Sequence, residues 1–71
     1  MLMPEFKPFR FGYSARDLAK CAEREVGKRR IVYANRVNTG RMTREQADTE
    51  ISKMEAIAAH FDELAKRERL L

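Results

Sequence analysis

The sequence predicts an all-α protein. The expected architecture is an antiparallel two-helix hairpin with an extended aromatic N-terminal arm, dimerising into a four-helix bundle. Three observations carry this reading. Between Thr43 and Arg69 the apolar residues Ala47, Ile51, Met54, Ala58, Phe61 and Ala65 recur in alternating steps of four and three, which places one apolar band along one side of a long helix. Upstream, Ala15, Leu18, Ala22, Val26, Tyr33 and Val37 keep helical phase over a second long stretch. Between the two stand Asn38 and Gly40, residue types that tolerate the left-handed backbone closing a helix. So short a connection makes the helices antiparallel neighbours.

Taken in order, residues 1–13 are expected to form the arm. Pro4 and Pro8 break any helical pattern. From Phe9 to Tyr13 aromatic residues alternate with Arg10 and Gly12, a strand-like period with no second strand to pair with. Four of the six aromatic residues of the chain, Phe6, Phe9, Phe11 and Tyr13, crowd this span. They either fold over the helices and complete their core or dock into a neighbouring subunit or target.

Ser14 reads as a helix N-cap, with Asp17 three residues on. The first helix is expected over 15–37, with Cys21 and Val32 on the shoulder of its apolar face. Gly27 falls opposite that face and marks either a close helix approach or a weak point. Ile31 projects away from the face and is a candidate second contact. Thr43 and Gln46 form a capping box, and Met42 can staple onto Ala47 across it. The second helix is expected over 44–69, with Ile57 and Leu64 widening its apolar stripe and Lys66, Arg67 and Arg69 suiting its C-terminal dipole.

At 71 residues the chain makes one domain, 1–71, near the size at which a single core is marginal. Cys21 is the only cysteine and His60 the only histidine. No intrachain disulfide can form between cysteines, and one cysteine with one histidine falls short of a structural zinc site. Helix packing and self-association remain as sources of stability, with a homodimer as the expected partner state.

No phosphate-binding glycine loop, metal-ligand motif or nucleophile–base order is evident, so no enzymatic role, cofactor or metal is expected. His60 is read as a salt-bridged surface residue beside Asp62 and Glu63, and Cys21 as an inert core thiol. The first residues carry no long apolar region and no run approaches a membrane span. A cytoplasmic protein without a membrane partner is therefore expected.

The net charge of +4 is unevenly spread. Residues 14–38 hold seven Lys/Arg against three Asp/Glu, whereas residues 43–71 hold five against seven. One helix is basic and the other acidic, which favours pairing between them within or between chains. Lys28, Arg29 and Arg30, followed by Arg36 and Arg41, are the candidate nucleic-acid contacts. The acids of the second helix oppose close approach of a duplex, and two long helices do not match a helix-turn-helix reader.

The stretch from Arg29 to Ile57, RRIVYANRVNTGRMTREQADTEISKMEAI, resembles small uncharacterised proteins encoded by tailed phages and prophages of Proteobacteria. The shared pattern is an Arg/Tyr-bearing helix followed by Val37, Gly40, Met42-Thr43, Ala47, Glu50-Ile51, Met54 and Ile57. The resemblance implies a phage-type helical hairpin and brings no activity or site residues with it.

The expected function is protein–protein interaction and self-association, as a phage or prophage accessory factor that binds a host or phage protein. Phe6, Phe9, Phe11 and Ile31 are its candidate contact residues. The alternative is nucleic-acid binding through Lys28, Arg29, Arg30, Arg36 and Arg41. A third reading is an assembly unit whose only partner is itself.

Overall fold

A computed structural model describes residues 12–70. Within them the chain forms two α-helices, α1 (Ala15–Asn38) and α2 (Arg44–Leu70), packed against each other with no strand. The helices were expected to end at Val37 and Arg69, and each runs one residue further. Residue numbers rise on one helix as they fall on the other. Arg30 pairs with Glu55, and Arg16, Lys20 and Glu23 share a cleft with Arg69, Lys66 and Asp62. The hairpin is antiparallel.

Local chemistry sets the helix ends. At the start of α1 the Asp17 amide donates to Ser14 Oγ at 3.1 Å, removing one of the unsatisfied donors of the first turn. The end of α1 closes as a Schellman motif. The Arg41 amide donates to the Arg36 carbonyl at 2.8 Å and the Gly40 amide to the Val37 carbonyl at 3.1 Å, with Gly40 at φ +78°. The Thr39 hydroxyl donates to the Asn35 and Arg36 carbonyls, at 3.0 and 3.2 Å.

Two residues later the predicted capping box is complete. The Gln46 amide donates to Thr43 Oγ1 and the Thr43 amide to Gln46 Oε1, both at 3.0 Å. Met42, just before the cap, is partly buried and Ala47 is buried, in keeping with a staple across the turn. One helix is thus stopped and the next started within five residues, Thr39 to Thr43, which leaves the chain only one way to go: back along α1.

The two glycines of the hairpin have opposite roles. A Cβ added at Gly27 would meet nothing within 4 Å, so this residue marks no close helix approach and is a weak point in the helix. Gly40 has equal space, but its positive φ is one that an L side chain rarely adopts. Gly27→Ala is therefore expected to stabilise the fold by about 1 kcal/mol, and Gly40→Ala to destabilise it by about 1–2 kcal/mol. Urea unfolding of the two variants checks the opposite signs, and two shifts of the same sign would refute the contrast.

The seam between the helices is made of small residues. Ala15, Ala19, Ala22 and Val26 of α1 and Ala47 and Ala58 of α2 are its buried members, and no buried side chain among the described residues is larger than valine. Ile51, Met54, Phe61 and Ala65 continue the α2 stripe and are partly buried. On α1 the sequence pattern was misjudged at one place. Ala19 rather than Leu18 sits in the seam, because steps of four, three and four from Ala15 place Ala19 and Ala22 there, and small residues let the helices approach. Leu18 lies to one side and is partly buried.

Candidate interaction surfaces

An α-helix turns 100° per residue, so the seam divides the hairpin into two long flanks. On one flank α1 carries Arg16, Glu23, Gly27 and Arg30, and α2 carries Glu55, Asp62 and Lys66. The ion pair Arg30–Glu55 and the cleft contacts identify these as the same side of the molecule. On the other flank α1 carries Leu18, Cys21, Glu25 and Val32, and α2 carries Glu50, Lys53, Ile57 and Leu64, with Met54 and Phe61 of the seam stripe along its border. The first flank is charged, and the second sets large apolar side chains among ion-paired polar ones.

The apolar flank is where the large side chains go. Ile57 is 45 % exposed and Val32 44 % exposed, while Leu18, Met54, Phe61 and Leu64 are partly buried. Ile57, read from the sequence as a widening of the core stripe, points off the seam. Cys21 is exposed on this flank rather than buried as a core thiol. The reason is the same for both: alanines close the seam so tightly that its shoulders remain outside. Polar residues cross the flank at two levels, where Glu25 Oε1 meets Arg29 Nε at 3.5 Å and where Lys53 pairs with Glu50 at 3.3 Å, four and seven residues before Ile57 on the same side of α2.

The basic cluster is not a free cationic patch. Lys28 and Arg29 both pair with Glu25, Lys28 at 3.8 Å. Arg30 reaches across the seam to Glu55. Arg36 lies over the Tyr33 ring, 5.6 Å from its centroid, a favourable cation–π position. Arg41 serves the turn through its backbone. Helical phase spreads Lys28, Arg29 and Arg30 around the axis, so each finds a different neighbour. They do not converge on one surface.

Among the contact candidates, Phe6, Phe9 and Phe11 lie outside the described residues. Ile31 is 75 % exposed on the side of α1 facing away from α2, and helical phase puts charged and polar residues around it. Among the described residues His60 forms no salt bridge with Asp62 or Glu63, and Asp62 pairs instead with Lys66, four residues on, at 3.3 Å. The imidazole packs edge-on against Phe61, with 5.4 Å between ring centroids.

One site was missed by sequence reasoning. At the open end of the hairpin a cleft of about 170 Å³ has Ala19 and Ala65 for a floor. Its rim is Arg16, Lys20, Glu23, Asp62, Lys66 and Arg69. Its cations come from the start of α1 and the end of α2, far apart in the sequence, so no local charge run announces it. The available signal was their spacing: residues 16 and 20, and residues 66 and 69, each share a helix face.

Among the described residues no cluster of His, Cys, Asp or Glu is arranged to hold a metal ion, and no helix is long and apolar enough to cross a membrane. Fold and surfaces together define an antiparallel α-helical hairpin with one apolar and one charged flank. No family model, curated protein or solved structure matches the chain.

Proposed function

We propose that this chain is a small accessory protein of the phage or prophage type that acts by self-association and protein–protein interaction. The observation that carries the reading is the division of apolar residues between seam and flank. Burying a Val, Leu, Ile, Phe or Met side chain contributes about 1.5–3 kcal/mol, yet the buried residues of the seam are alanines and one valine, and Ile51, Met54 and Phe61 are only partly buried there. The larger apolar side chains line one flank, where a second surface laid on them would bury what the hairpin leaves wet. A second copy of the chain is that surface. Two hairpins joined flank to flank form a four-helix bundle.

Charge favours this partner. A two-fold arrangement that sets the basic α1 of one copy against the acidic α2 of the other brings complementary fields together at both crossings. The phage setting rests on the resemblance between Arg29 and Ile57. A host or phage protein would then be recruited by the assembled dimer.

Light scattering on the full chain tests the reading. The expected mass is twice the 8.3 kDa of the single chain, maintained on dilution to about 10 µM, as an affinity near 1 µM (about −8 kcal/mol) requires. A single-chain mass at about 100 µM would overturn self-association. Repeating the measurement on a chain lacking residues 1–11 separates the two possible covers of the flank. A dimer that survives the deletion places the second copy on the flank without help from the arm.

A further inference from the structure

The charged flank has a feature that self-association through the opposite flank leaves open. In the cleft at the open end, Arg16 and Lys20 of α1 stand one helical turn apart, and Lys66 and Arg69 of α2 nearly so. Because the helices run antiparallel, Arg16 is level with Arg69 and Lys20 with Lys66. Like charges thus face each other across the cleft. Asp62 neutralises Lys66. Among the described residues Arg16, Lys20 and Arg69 take part in no ion pair or other polar contact. This contrasts with Lys28, Arg29 and Arg30, which are all paired.

We infer that this cleft binds phosphate groups, holding two of them about 6 Å apart, the rise of one helical turn, on the rungs Arg16/Arg69 and Lys20/Lys66. Arginine supplies a forked donor set suited to phosphate oxygens, and lysine a mobile point charge. An anionic group would relieve above all the apposition of Arg16 and Arg69, which no ion pair among the described residues compensates, whereas Lys66 is already paired with Asp62. Glu23, on the same rim and without an ion pair among the described residues, sets a limit on affinity. Phosphates so spaced come from neighbouring nucleotides of a nucleic-acid strand or from alternate units of a condensed inorganic phosphate. The cleft lies on the flank away from Ile57 and Val32, so the site is compatible with a dimer but does not depend on one.

The test is fluorescence anisotropy of a labelled single-stranded oligonucleotide titrated with the full chain at low salt. Arg16→Gln combined with Arg69→Gln is expected to weaken binding about tenfold and to lower the slope of log affinity against log salt by about 1.4, two phosphate contacts' worth for a single strand. Lys28→Gln combined with Arg29→Gln removes the same formal charge from the Glu25-paired cluster and is expected to leave affinity within about twofold. Glu23→Gln is expected to tighten binding. Circular dichroism of each variant confirms that the helices are intact.

No binding of the unmodified chain at low salt would overturn the inference, as would an equal loss from the two double variants. Competition then identifies the source. Displacement of the strand by inorganic polyphosphate at equal phosphate concentration assigns a condensed phosphate. Resistance to it assigns the nucleic-acid backbone.

Discussion

Replacing Ala22 by leucine is expected to destabilise the hairpin by about 1–3 kcal/mol, even though the new side chain is more hydrophobic and nearly as good a helix former. Ala22 is buried midway along a seam whose other buried members are Ala15, Ala19, Val26, Ala47 and Ala58. The separation of two packed helices follows the size of the side chains between them, and here those are nearly all methyl groups. Leucine at this position has to push the axes apart or leave its rotamer. Either response unpacks Ala19 and Val26 on the adjacent turns and weakens the Arg30–Glu55 pair that spans the seam. That pair is itself exposed on both sides, so its loss adds at most about 1 kcal/mol. Most of the cost is packing. Urea unfolding at fixed protein concentration measures it. A rise in stability would show that the seam has spare room and that its alanines do not set the distance between the helices.

The seam also shows where sequence reasoning reaches its limit. The turn was legible because its determinants are local: Gly40 at the left-handed position, and Thr43 and Gln46 exchanging hydrogen bonds three residues apart. The α2 stripe was legible because Ala47, Ile51, Met54, Ala58, Phe61 and Ala65 repeat without interruption. On α1, hydrophobicity pointed to Leu18, whereas close packing selected Ala19. The two criteria differ because a hydrophobic scale ranks side chains by transfer free energy, while a tight seam ranks them by size.

The same distinction turned Cys21 from an expected core thiol into a flank residue and left Ile57, which widens the stripe, nearly half exposed. The partners of the basic residues were partly hidden. Glu25 lies within one turn of Lys28 and Arg29, so those pairs were within reach of the sequence. The Arg30–Glu55 pair and the open-end cleft depend on the register between the helices, and no local pattern encodes it.

Replacing Val32 and Ile57 together by lysine is expected to halve the molar mass in solution while keeping the helical circular dichroism of the parent chain. Both side chains are nearly half exposed in the hairpin, and surface substitutions of that kind usually shift stability by no more than about 0.5 kcal/mol. Across a flank-to-flank interface the same lysines would be buried without a partner. Interface positions of this type cost about 2 kcal/mol or more each. With about 1.4 kcal/mol per tenfold, the pair should weaken association roughly a thousandfold, enough to turn a micromolar dimer into a monomer at any practical concentration. Ile31→Lys provides the counterpart. Ile31 is the most exposed large apolar residue described and lies on the far side of α1, so its substitution should leave the mass unchanged. If Ile31→Lys dissociates the protein and the Val32/Ile57 pair does not, the surface of association is the outward side of α1. The apolar flank would then be covered by residues of the same chain. The division of the hairpin into an apolar and a charged flank makes these outcomes separable, because each substitution changes one surface and leaves the alanine seam intact.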